Sequence, residues 1–212
     1  LASIMAPVLP PGLNGIGILV HGNVSRRTQR TKMKPSLSDQ PPNEYAARVL
    51  KVNHAGENGA VHIYAGQILA ARIMAPSLVA ELSEFKADEE AHRATFWAEL
   101  QRRRRPRCRS YMLCGLGGFV LGLITGLLGR RAIAATTVAV ERVVLAHLHH
   151  QLEALRGKDE AAVRAIESIV AEEQRHHDQS ATHLAAGQFW PKVLSPIVAA
   201  STEAVIWVGM RA

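Results

Sequence analysis

The chain has 212 residues, 48% hydrophobic, 5% aromatic and 20% charged, which is enough for one domain with a substantial core. The net charge of +7 is local: residues 1–38 carry five Lys/Arg and no acid, residues 102–109 carry six arginines, and the remainder is net negative by four. That distribution does not fit a general nucleic-acid binder, and two cysteines, Cys108 and Cys114, make neither a disulfide framework nor a zinc-type Cys-x-x-Cys pair.

Residues 1–40 stand apart. Arg26, Arg27, Arg30, Lys32 and Lys34 lie among Ser and Thr, and the first acid is Asp39. An acid-free, Arg-containing stretch resembles a mitochondrial transit peptide, so 1–40 reads as a disordered basic leader and 41–212 as one helical domain. The first helix is expected from near Pro42-Asn43-Glu44 to about Met74. Leu50, His54, Glu57, Val61, Tyr64 and Ile68 recur at three- and four-residue steps and share one face. Glu57 sits inside that otherwise apolar stripe, and a carboxylate on a buried face requires a partner. Met74-Ala75-Pro76-Ser77 marks a turn, because proline suits a helix start rather than an interior.

The second helix is expected over about 77–104, with Leu78, Leu82, Phe85, Glu89, His92 and Phe96 along one side. Asp88 and Glu90 read as outer partners of the ligands or as solvated acids. The helix ends in Arg102-Arg103-Arg104-Arg105-Pro106, where the arginines suit the negative helix end. An uncharged stretch follows, Tyr111 to Gly129, with glycine at 115, 117, 118, 122, 126 and 129. It admits three readings: a spanning helix, a buried helix, or a short amphipathic hairpin in the membrane surface. Interfacial insertion is favoured, because a spanning segment would start the flanking helical hairpins on opposite sides of a bilayer.

The third helix of the site is expected over about 131–156 with Glu141, and the fourth over about 159–186 with Glu173 and His176. Between them, Arg156-Gly157-Lys158-Asp159 offers a glycine C-cap and an aspartate N-cap. His147, six residues after Glu141, reads equally as an outer partner or a surface histidine. His177 points about 100° from His176 and away from the site. A last apolar helix is expected over 193–208.

These acids and histidines form a repeat. Glu89 and His92, and again Glu173 and His176, make Glu-x-x-His, which puts both side chains on one helix face. Glu57 precedes Glu89 by 32 residues and Glu141 precedes Glu173 by 32; the pairs 57/141, 89/173 and 92/176 are each 84 apart. Both expected turns lie midway between the lone acid and its Glu-x-x-His, so each helical hairpin brings the two to one level. Four carboxylates and two imidazoles at one level are the ligand set of a di-iron or di-manganese site in an all-α, ferritin-like four-helix bundle.

Asn53-His54-Ala55-Gly56-Glu57 and Ile63-Tyr64-Ala65-Gly66-Gln67 resemble the first-helix signature of the demethoxyubiquinone hydroxylase family of ubiquinone biosynthesis. Ala139-Val140-Glu141 and Glu172-Glu173-Gln174-Arg175-His176-His177-Asp178 are similar to its later motifs, and the likeness covers roughly 44–212. Asn58 and Glu203 depart from the family pattern, and all six ligand positions are kept. The resemblance implies a di-iron monooxygenase, a 5-demethoxyubiquinone hydroxylase, acting with O2 on a polyprenyl benzoquinone. It implies two iron ions held by Glu57, Glu89, His92, Glu141, Glu173 and His176, with Glu89 and Glu173 bridging. It further implies NADH or another electron donor and a peripheral place on the inner mitochondrial membrane, matrix side, or on the cytoplasmic side of a bacterial cell membrane. Other ubiquinone-biosynthesis proteins, including a lipid-binding partner, are implied, and no nucleic acid. The alternative on the same bundle is an iron-storage or iron-detoxifying protein.

Overall fold

A computed structural model describes residues 44–184 and 189–211 of the chain. The leader expected over 1–40 lies outside those residues. Among the described residues the fold is entirely helical: α1 (Glu44–Met74), a 3-10 turn (Pro76–Leu78), α2 (Val79–Arg102), α3 (Tyr111–Leu127), α4 (Arg130–Leu155), α5 (Glu160–Ala181) and α6 (Phe189–Gly209).

α1 with α2 and α4 with α5 form two antiparallel hairpins, turned where the sequence places the turns. Pro76 opens the 3-10 turn after α1. Gly157 takes φ 73° after α4, and the Asp159 carboxylate accepts from Ala162 N at the start of α5 (3.1 Å). The hairpins pack antiparallel across each other. Asn53 and Gln151 exchange a pair of amide hydrogen bonds (2.8 and 3.1 Å) between α1 and α4, and further along Tyr64 reaches Glu141. Arg103 pairs with Asp159 and Arg175 with Glu84 between α2 and α5. The result is a ferritin-like four-helix bundle of α1, α2, α4 and α5.

α2 ends at the opposite end of the bundle from the start of α4, so the chain must traverse the bundle's length between them. α3 makes that crossover; its 17 residues cover about 25 Å. It runs parallel to α1, with Gly118 against Gly59, Gly122 against Ile63 and Gly126 against Gln67 and Ala70. A Cβ at Gly118 or Gly122 would collide with the carbonyl oxygen of Gly59 or Ile63, so the glycines let the backbones touch. The other face leaves Met112, Leu116, Ile124 and Leu127 exposed. The segment is thus one continuous helix, half packed and half exposed, and not a short hairpin. Glycines spaced three and four apart make one helical face and leave no turn within it.

Two apolar layers bracket the middle of the bundle. One comprises Leu50, Phe96, Leu100, Leu148, Leu152 and Ile166. The other comprises Tyr64, Leu78, Leu82, Phe85 and Ile133. Between them lies a buried polar level.

Candidate metal centre

All six residues singled out by spacing meet at that level. Glu57, Glu89, His92, Glu141, Glu173 and His176 are each at most 5% exposed. They form two overlapping groups whose ligand atoms lie within 4.8 Å of one another: Glu57, Glu89, His92 and Glu173, and Glu89, Glu141, Glu173 and His176. Glu89 and Glu173 belong to both. Glu89 turns Oε2 toward His92 Nδ1 (3.6 Å) and Oε1 toward His176 Nδ1 (3.3 Å). Glu173 turns Oε1 toward His92 Nδ1 (3.1 Å) and Oε2 toward His176 Nδ1 (3.9 Å). Each central carboxylate thus offers one oxygen to each half, as a bridging ligand does.

The donor atoms test whether metal fits. Both oxygens of Glu89 and of Glu173, and Nδ1 of His92 and of His176, are buried without a well-directed hydrogen bond, despite their short separations. Buried polar groups are ordinarily paired, and each one left unpaired costs roughly 1–3 kcal/mol. Six orphaned donor atoms around one level share one economical partner, a pair of divalent cations, and oxygen with imidazole donors suits iron or manganese.

The electrostatics agree. Burial, then repulsion from Glu89 and Glu173, pushes Glu57 well above the usual carboxylate range; burial, Glu173 and Glu89 do the same to Glu141. Burial would raise Glu89 too, but contact with His176 and His92 holds it down at about 2. Burial opposes a charge on His92, and Glu173 and Glu89 overcome it, raising the imidazole to about 10.

Outer contacts orient these candidate ligands. Tyr64 Oη donates to Glu141 Oε1 (3.1 Å). His176 Nε2 meets Asp88 Oδ2 (3.1 Å), which leaves Nδ1 for the metal side. Glu90, by contrast, faces solvent and pairs with Lys86. His147 is not at the ligand level; it is half-buried, 2.9 Å from Glu203 of α6. His177 pairs with Asp178 at the surface. Spacing alone missed Tyr64 as a site residue, although its position seven after Glu57 put a hydroxyl on the ligand face.

A cavity of about 670 Å³ reaches the cluster, with Glu57, Glu89, Glu141 and Glu173 in its lining. Its other walls are largely apolar: Ile63 of α1, Leu121 and Ile124 of α3, Val140 and Val144 of α4, Val205 of α6. Leu113, Val120, Ile124, Val205 and Val208 both line it and stay exposed, so the mouth lies between α3 and α6. The share of α6 in this wall, including Ser201 and Thr202, was not visible in the sequence.

The chain is similar to known proteins of ubiquinone biosynthesis. The profile of the family described as ubiquinone biosynthesis protein COQ7 matches residues 44–209. The chain is 36% identical over 174 residues to the 3-demethoxyubiquinol 3-hydroxylase of Rhodospirillum rubrum, covering 82% of this chain and 81% of that protein. It is 32% identical over 169 residues to the NADPH-dependent 3-demethoxyubiquinone 3-hydroxylase, mitochondrial, of Mus musculus, covering 77% and 76%. It is 30% identical over 194 residues to the protein of the same name from Dictyostelium discoideum, covering 89% and 84%.

Proposed function

The chain belongs to the family of ubiquinone biosynthesis protein COQ7, and from that premise we propose that it is an O2-dependent di-iron monooxygenase. Its substrate is the ring of a demethoxyubiquinone-type polyprenyl quinone, hydroxylated at the position that the relatives' names number 3. One observation carries the proposal: the four cluster carboxylates lie in the lining of a largely apolar cavity that opens between two half-exposed helices. A storage site has no use for such a cavity.

In this reading Glu57, Glu89, His92 and Glu173 would hold one iron, and Glu89, Glu141, Glu173 and His176 the other. Four carboxylates balance the charge of two ferrous ions. Bound iron supplies the activation of O2 that no side chain here supplies. The chain does the rest. Tyr64 holds Glu141 in place, the walls from Ile63 to Val205 keep water from the ring, and the gap between α3 and α6 lets a polyprenyl tail remain outside. The electron donor is a reduced nicotinamide, NADPH by the names of the relatives. The site of action is the surface of the inner mitochondrial membrane, or of a bacterial cell membrane, beside other ubiquinone-biosynthesis proteins. Where that membrane is mitochondrial, residues 1–40 would serve as the targeting leader.

The test is turnover under oxygen-18 gas with reduced protein and a demethoxyquinone in liposomes. The new hydroxyl should carry the label, and Glu89→Gln should abolish it. Label in water alone, with the quinone unchanged, would favour iron storage instead.

A further inference from the structure

The 84-residue offset extends one position beyond the ligands: Asp88 precedes Glu89 as Glu172 precedes Glu173. Each of these acids faces the imidazole of the opposite hairpin. Asp88 Oδ2 lies 3.1 Å from His176 Nε2, and Glu172 Oε2 lies 3.8 Å from His92 Nε2. The two contacts differ in support as well as length. Arg175 Nη2 donates to Asp88 Oδ2 at 2.6 Å, while its Nη1 donates to Glu84 Oε1 at 2.7 Å, one turn away on α2. Glu172 is 43% exposed at its side chain and makes no ion pair with an Arg or Lys among the described residues. The position 84 before Arg175 is Ala91, so the first half has no side chain to build a matching clamp.

We infer that Arg175 is a positioning residue: through Asp88 it fixes the His176 ring, and so makes the metal position of Glu89, Glu141, Glu173 and His176 the tighter of the two. This rests on the di-metal reading above. A ring whose far nitrogen is held by a fixed carboxylate presents its near nitrogen already oriented and more basic, whereas His92 must be ordered as the metal arrives. An exposed ion pair contributes little by itself. The effect of Arg175 is therefore geometric: a forked group spans Glu84 and Asp88, which a lysine ammonium does not.

The test is anaerobic titration of the metal-free full chain with ferrous iron-57, followed by Mössbauer spectroscopy at one and two equivalents. The wild type should show two dissociation constants at least about tenfold apart, the range typical of lost outer partners being roughly 10–100-fold. Arg175→Ala should weaken the tighter constant by about tenfold or more, leave the weaker one unchanged, and alter only the spectrum of the first-filled iron. Arg175→Lys should recover part of the loss. Glu84→Gln should move the same constant less, and it provides the test should Arg175→Ala not fold. Two equal wild-type constants, or equal weakening of both in the variants, would overturn the inference while the di-iron reading stands. Fewer than two irons in the wild type would remove the di-iron reading, and this inference with it.

Discussion

At the residue scale the ligand set was legible because helical spacing and hairpin geometry act on sequence position alone. Glu57 with Glu89, and Glu141 with Glu173, had to meet once the turns fell at Pro76 and Gly157. The contact of Tyr64 depends on where a long side chain ends, which spacing does not specify, and spacing left Asp88 open between an outer partner and a solvated acid. The titration of the cluster yields a prediction. His92 is raised to about 10 by Glu173 and Glu89 against its burial, and Glu57 and Glu141 are raised by burial and by their neighbours. Each binds a proton more firmly in the folded chain than in the unfolded one. For His92 the stabilisation is complete below its unfolded value of about 6.5 and is lost as pH rises toward about 10. Glu89, lowered to about 2, contributes constant stability across that window. Metal-free protein should therefore melt at a lower temperature at pH 9 than at pH 7. Metal uptake at pH 7 should release protons, with affinity rising with pH. Calorimetry in buffers of different ionisation enthalpy measures the release; a flat melting temperature from pH 7 to 9, with no protons released, would contradict the assignment.

At the element scale α1, α2, α4 and α5 were legible from apolar periodicity, and their turns from a proline, a glycine and an N-capping aspartate. α3 was harder. Its apolar composition fits lipid and protein equally, and only three-dimensional packing shows that its glycines serve contact with α1. The arginine run also divides on inspection of its partners. The side chain of Arg103 is buried, bonded to Glu99 and in a two-point contact to Asp159 (2.6 and 2.7 Å). Arg102 pairs with Glu99 and Arg105 with Glu44. Arg107 lies over the rings of Trp97 and Tyr111, whereas Arg104 and Arg109 make no ion pair among the described residues. The run is thus partly a fastening between α2 and α5, and only part of it is free to meet anionic headgroups. Arg103→Ser should cost about 1.5–3 kcal/mol in urea unfolding, since it removes charged hydrogen bonds and unsupports the α5 cap. Arg104→Ser with Arg109→Ser should leave the unfolding midpoint unchanged and weaken binding to anionic liposomes at low salt, each charge contributing on the order of 1 kcal/mol. The reverse pattern would show that the free arginines, not Arg103, hold the bundle.

At the scale of the whole molecule, the crossover helix joins two requirements. A ferritin-like bundle needs a connection along its length, and the polyprenyl substrate proposed above would need an apolar path from lipid to the centre. α3 makes the connection and, in the proposed function, would serve the second: its glycine face packs on α1 while its opposite face exposes Met112, Leu116, Ile124 and Leu127 beside the mouth. α6 adds Ile197, Trp207 and Val208 on the other side. Apolar side chains exposed in such a row favour insertion into the acyl boundary, at roughly 1.5–3 kcal/mol for each one buried. Leu116 and Leu127, 65% and 54% exposed, do not line the cavity, so changing them tests the surface apart from the site. Leu116→Glu with Leu127→Glu should abolish flotation with liposomes and keep the helical content and two irons per chain. Hydroxylation of a long-tailed quinone in vesicles should fall at least about tenfold, since two lost anchors together exceed 1.4 kcal/mol. A tail-less, water-soluble analogue reaches the cavity without the bilayer, so its turnover should stay at the wild-type rate. Equal loss for both substrates would place the defect in the bundle, and no loss for either would mean that the exposed face of α3 does not deliver substrate.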